Sequence, residues 1–160
     1  MDAIVGQWRR ERPDLDPSAK EITGRVIRLA SLFQQANAEV FEPLGLNDGD
    51  YGVLATLRRA GAPYELTPSE LARQRMMTSG GMTAALDRLE RKGLVARSPN
   101  PADRRGSLVR LADDGLHVVD RAMEQHSETE QRLVRGLSAA DRRKLGELLR
   151  ALLLTVEPED

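Results

Sequence analysis

Thr67-Pro68-Ser69-Glu70-Leu71-Ala72, Thr78-Ser79-Gly80-Gly81-Met82-Thr83-Ala84-Ala85-Leu86-Asp87-Arg88-Leu89-Glu90-Arg91-Lys92-Gly93-Leu94-Val95 and Asp103-Arg104-Arg105-Gly106-Ser107-Leu108-Val109-Arg110-Leu111 follow one another along the chain. Thr67 is placed as an N-cap, Pro68 suits the first helical position, and Glu70 completes a capping box, which predicts a short helix to about Met76. Thr78 starts a second helix, with Met82, Ala85, Leu86 and Leu89 on one narrow apolar stripe. Gly80, Thr83, Ala84, Asp87 and Arg91 fall opposite, and Gly93 stops the helix. Leu94 to Arg97 and Ser107 to Leu111 are β-prone runs, predicted to be joined by a long tip stiffened by proline. Helix, turn, helix and basic hairpin are together the layout of a winged helix-turn-helix, which lays its second helix in the major groove of double-stranded DNA.

The residue types suit that docking. A helix entering the groove presents its first turns to base edges and its N–H groups to phosphates. Here those turns carry Thr78, Ser79, Gly80, Thr83 and Ala84, small enough for close backbone approach, with hydroxyl groups for bases or phosphates and methyl groups for thymine. No Asn or Gln reader stands among them, so direct base recognition is expected to be sparse. Arg88 lies a turn further on, within reach of a phosphate or guanine. Arg73, Gln74 and Arg75, at the end of the preceding helix, read either as phosphate contacts or as solvated surface charge. Arg104 and Arg105, at the hairpin tip, can enter a minor groove, drawn by its negative potential. Asp103 reads either as a brace for a wing arginine, Arg97 or Arg105, or as a plain turn former.

Working outward, Ile4, Val5 and Trp8 predict a short N-terminal helix, and Pro13 and Pro17 a linker after it. Ser18 and Glu21 form a capping-box pattern. Behind them Ile22, Val26, Leu29, Phe33, Ala36 and Val40 recur at alternating spacings of four and three, a seam for another helix, including one from a second copy of the chain. Pro43 and Gly45 end that helix, and Asn47 or Asp48 caps the next, with Val53, Leu54 and Leu57 inward. Two long helices, about 113 to 136 and 139 to 156, close the chain, the second with Ser138 and Asp141 at its start. The predicted fold class is mainly α with a small β-wing. It divides into an extension over 1–17, dimerisation helices over 18–45 and 112–160, and a DNA-binding lobe over 46–111.

The chain has 160 residues and a net charge of −1, on average no signature of a nucleic-acid binder. The average hides a division: residues 69–110 carry nine Lys and Arg against four acids, a surplus of five, so the remainder has a deficit of six. There is no cysteine, which excludes disulfides, thiolate metal sites and thiol redox sensing. His117 and His126 lack companions for a metal site, and no cofactor is expected. No nucleophile elbow, phosphate loop, zincin motif or dinucleotide fingerprint is present, so no enzyme is expected. Neither a secretory hydrophobic core nor a membrane-length apolar run appears, which predicts a cytoplasmic protein.

Residues 67–111 resemble, in order and spacing, the winged helix of the MarR family of multiple-antibiotic-resistance regulators, including the wing motif Asp103, Arg105 and Gly106. The likeness extends less specifically over 18–155. It implies a homodimer on a pseudo-palindromic operator, a repressor released by a small aromatic or anionic effector, with the minor-groove arginine at Arg105. Ala112 departs from the threonine that commonly opens the helix after the wing. By the same resemblance the effector would sit between the dimer helices and the lobe, where Trp8, Arg25, Arg28, Phe33, Tyr51 and Arg58 can stack or pair, though each also reads as packing or surface charge. The opening from Trp8 to Asp16 resembles the branch that carries an extra N-terminal helix and includes urate-responsive regulators. That branch implies an acid near 52 and an arginine near 85, where this chain has Gly52 and Ala85. Two other readings stay open: an effector-independent architectural DNA-binding protein, and a protein-interaction module built on the same winged helix.

Overall fold

A computed structural model describes residues 1–157, without the side chains of Arg104 and Arg105. The order is α1 (Asp2–Glu11), α2 (Ser18–Phe41), a 3-10 turn (Glu42–Leu44), α3 (Asp48–Arg59), β1 (Glu65–Leu66), α4 (Pro68–Arg75), α5 (Ser79–Arg91), β2 (Val95–Asn100), β3 (Asp103–Leu111), α6 (Asp113–Val134) and α7 (Ala139–Val156). The fold is mainly α, with one small antiparallel sheet in the order β1-β3-β2.

Local chemistry accounts for most of these boundaries. Asn47 accepts from the Asp50 N–H at 2.8 Å and starts α3. Thr67 and Glu70 form the expected reciprocal box, with Pro68 in the first turn. Their hydrogen bonds hold the Glu70 carboxyl below its ordinary value, because both the N–H and the hydroxyl of Thr67 donate to it. Thr78 and Ser138 cap α5 and α7 by accepting from Gly81 and Asp141. Gly45, Gly61 and Gly93 all take left-handed φ where a helix or turn must end.

Two expectations are corrected, and one strand is added. Ser18 and Glu21 form no capping box: the Ser18 N–H and hydroxyl both donate to Asp16, and Glu21 pairs with Arg9 on α1 at 3.1 Å. The wing tip is short, because pairing continues past Pro99 to Asn100 opposite Asp103, with a register shift between Pro99 and Asn100, and only Pro101 and Ala102 are left in the turn. β1 was not anticipated, two residues being too few for a periodicity; it pairs Glu65 with Arg110 and Leu66 with Val109.

The core lies between α3, α4, α5 and the wing. Val53, Leu54 and Leu57 meet Leu71, the whole predicted stripe of α5, and Leu94, Val95, Val109 and Leu111. Val40 and Phe41 from the end of α2 and Val119 and Ala122 from α6 close it. Outside this core the chain leaves apolar surface uncovered. Ile22, Val26, Leu29 and Phe33 on α2 are exposed, as are Leu145, Leu148, Leu149 and Leu152 on α7, a helix that buries none of its residues. α1 packs across α2 through Val5, the Arg25–Asp2 pair and Met1, which fills the notch left by Gly24.

Ala112 begins α6 without a side-chain cap, and the junction is held by packing instead. The Ala112 N–H donates to the Leu94 carbonyl at 3.0 Å, and Gly115 lies so close to that carbonyl that an added Cβ would collide with backbone. Gly115→Ala is therefore expected to destabilise the fold by about 1–3 kcal/mol or more, read as a lowered denaturant midpoint, because neither backbone can yield independently.

Candidate nucleic-acid interface

α5 presents two unlike faces. Met82, Ala85, Leu86 and Leu89 are buried, while Thr78, Ser79, Gly80, Thr83 and Ala84 are exposed. Nothing stands near the missing Cβ of Gly80. Two of the three hydroxyls on this face already serve the helix: Thr78 Oγ1 accepts from Gly81, and Thr83 Oγ1 donates to the Ser79 carbonyl at 2.9 Å. Each retains capacity for one more partner. Arg73 and Gln74 are exposed at the end of α4, beside this surface. Arg104 and Arg105 lie near the start of β3, opposite the other end of β2, and their side chains are outside the described residues.

Two arginines expected at this surface, Arg88 and Arg75, are engaged elsewhere, and Arg97 does not make the pair expected of it. Arg88 turns inward: its Nε and Nη2 donate to Asp50 Oδ1 at 3.2 and 2.9 Å. Lys92, just past the end of α5, donates to Asp50 Oδ2 at 3.1 Å and to the Gly45 carbonyl at 2.6 Å. The Asp50 carboxylate is only 1% exposed, so a buried anion on α3 holds the C-terminal half of α5 by two cations. Arg75 folds back over Gly52, where its guanidinium fills the space a side chain would take and its Nε is buried without a partner among the described residues. Arg97 on β2 pairs with Asp87 at 2.6 Å and Glu90 at 3.6 Å, not with Asp103, and so ties the wing to α5. Asp103 lies against Gly106, where an added Cβ would come within 3.0 Å of its Oδ2.

The six effector candidates do not converge. Phe33 lines a cavity of about 270 Å³ with Asn37, His126, Glu130, Leu133 and Val134. Tyr51 stacks on Phe41 at 4.1 Å between ring centroids and meets His126 edge-on at 5.2 Å. Burial, and next Glu130 and Asp48, push its hydroxyl above the ordinary tyrosine value. Trp8 instead borders an open hollow on α1 under Lys20. Arg25 is paired with Asp2, Arg28 is exposed on α2, and Arg58 donates to Asp120 at 2.7 Å while covering the Tyr64 ring. Two residues of these networks had no signal in the sequence. Asp50 reads as an ordinary first-turn acid, and His126 as a surface histidine, until tertiary packing surrounds them.

A helix with an open, small-residue N-terminus beside a β-ribbon, both braced on one core, defines a winged helix-turn-helix protein of the DNA-binding class. Residues 44–106 match the family model described as MarR family. The chain is 38% identical over 154 residues to the HTH-type transcriptional regulator PecS of Dickeya dadantii, covering 96% of this chain and 90% of that one. It is 31% identical over 144 residues to the multiple antibiotic resistance protein MarR of Salmonella typhimurium, covering 85% and 98%. Among solved structures, a cysteine-to-serine mutant of MarR from E. coli complexed with operator DNA matches with a TM-score of 0.74 and 29% identity, covering 91% of this chain and 97% of that one. A MarR family transcriptional regulator from Streptomyces coelicolor in complex with DNA matches with a TM-score of 0.81 and 26% identity, covering 91% of each. This chain belongs to the MarR family of DNA-binding transcriptional regulators, and it is not an enzyme. Among the described residues no helix is long and apolar enough to cross a membrane.

Asp50→Asn removes the charge that holds Arg88 and Lys92 and keeps the side-chain volume. The expected cost is about 1–3 kcal/mol in chemical denaturation, below that of a wholly buried pair because both cations can rehydrate.

Proposed function

We propose that the chain works as a homodimer that binds a pseudo-palindromic operator as a repressor and is released by a small aromatic, anionic effector. The uncovered apolar faces of α2 and α7 support the dimer, since large apolar side chains exposed in a row along a helix face mark an interaction surface. In this reading 18–45 and 112–160 are the dimerisation helices and 46–111 is the DNA-binding lobe. Twofold pairing sets two copies of α5 about one helical turn apart, roughly 10 bp, in successive major grooves. Thr78, Ser79, Gly80, Thr83 and Ala84 meet base edges and phosphates, Arg73 and Gln74 meet the backbone, and Arg104 and Arg105 reach the flanking minor grooves. Arg88, Arg75 and Arg97 act from behind, holding α5 and the turn in place.

The observation that carries this reading is the division of α5 into a buried stripe and an open N-terminal turn of small side chains. For the effector, the cavity beside Phe33 and His126 supplies apolar and aromatic walls near the lower end of ligand-site volumes. His126 Nδ1 is buried there without a partner among the described residues, a hydrogen-bonding group in want of one. Release follows if the effector binds a dimer with wrongly spaced recognition helices more tightly than the DNA-bound form. The N-terminal extension resembles that of the branch that includes urate-responsive regulators, but Arg75 occupies the place over Gly52 where that branch would carry its acid. The effector is accordingly an aromatic acid other than urate.

The test uses a duplex selected from a random pool by the protein itself. Arg105→Ala is expected to weaken binding roughly tenfold and to lower the salt slope, with unchanged thermal unfolding; undiminished affinity overturns the wing assignment. Aromatic acids titrated against the complex should release it, and release by none of them removes the effector from the proposal.

A further inference from the structure

α4 ends on a residue that does not suit its backbone. Met76, the C-cap, has φ 49° and ψ 40° and donates its N–H to the Ala72 and Arg73 carbonyls. That left-handed conformation crowds any Cβ, which is why helix ends of this shape carry glycine and sometimes asparagine. The fold gains no packing in exchange. The Met76 side chain is 86% exposed, while Met77 beside it is half-buried against the core. Its neighbours Arg73, Gln74, Thr78, Ser79 and Gly80 are exposed and either polar or small. A large thioether, held at an unfavourable φ and pointed at water, thus stands two residues before the N-cap of α5.

We propose that Met76 is a DNA-contact residue whose thioether packs on apolar DNA surface, a thymine 5-methyl or a deoxyribose, at the edge of the major groove. This rests on the placement of α5 in the groove, which fixes the turn's position: the first helix of the pair crosses the backbone, the second enters the groove, and the turn between them lies at the rim. Methionine suits such a contact because it is unbranched and polarisable and adapts to an irregular surface. It also extends the reading of thymine methyls beyond what Thr83 and Ala84 offer. The side chain leaves water only when DNA is bound, so it contributes to affinity and not to folding. Being uncharged, it releases no counterions, and its share of the affinity does not depend on salt.

Substitutions that fit the backbone separate this role from a structural one. Met76→Gly and Met76→Asn both tolerate left-handed φ, and Met76→Leu keeps the apolar volume. With the duplex that the wild-type chain selects from a random pool, the Gly and Asn variants should keep or raise the thermal midpoint while Kd rises roughly three- to tenfold, the loss expected for one partly buried apolar side chain. The salt slope should stay that of the wild type, and the Leu variant should bind nearly as the wild type does. Replacing thymine by uracil at single positions identifies the surface: a symmetric pair at which uracil weakens the wild type but not the Gly variant marks the methyl, and equal responses of the two at every position mark the sugar. Wild-type affinity in the Gly and Asn variants, or an affinity loss that merely tracks a lowered midpoint, overturns the proposal and leaves the regulator reading standing. Failure of the wild type to select any duplex ends both.

Discussion

A carboxylate inside the protein sets where the recognition helix points. Asp50 is buried in the first turn of α3, and a charge taken from water is tolerable only with close partners. Both of its cationic partners, Arg88 and Lys92, belong to the far end of α5, and Lys92 also reaches the Gly45 carbonyl. On the opposite flank Arg97 grips Asp87 and Glu90. These outer pairs are half-exposed and individually weak, but they act along the same helix as the buried cluster. α5 is thereby held by its second half and its buried stripe, and its first turn projects without polar restraint from the rest of the chain.

That arrangement changes how the charge surplus of residues 69–110 is understood. The net value is a property of composition, but its roster is not the set of groups facing DNA. Arg88, Lys92 and Arg97 are neutralised by Asp50, Asp87 and Glu90, and Arg75 is laid over Gly52. What faces outward at the head of α5 is mostly backbone, three hydroxyls and small side chains. In the proposed docking such a surface admits a duplex closely and reads few base edges directly, which leaves sequence preference to groove shape and to contacts from the wing.

The parts of the fold that were legible in the sequence are those written in short-range chemistry. Thr67 with Glu70, Asn47, Thr78 and Ser138 announce helix starts because each satisfies N–H groups three residues away. The stripe of α5 is periodic, and all four of its members are buried. Misreadings occur where the partner lies far along the chain or just outside the pattern. Ser18 and Glu21 have capping-box spacing, yet Asp16 and Arg9 compete for them. Pro99 looks like part of a loop, yet proline is tolerated at an edge strand, and β2 is one. Arg88 looks like a DNA contact because its position on the helix is correct, but the buried acid that claims it is 38 residues upstream. The β1 pairing belongs to the same class, since Glu65 and Leu66 become a strand only because β3 arrives beside them.

The helix α7 gives nothing to the hydrophobic interior of its own chain. The lobe that carries α5 and the wing is therefore complete without it. In the proposed dimer, substitutions along the exposed apolar face of the C-terminal helix would change the strength of assembly and leave the interior of the lobe as it is.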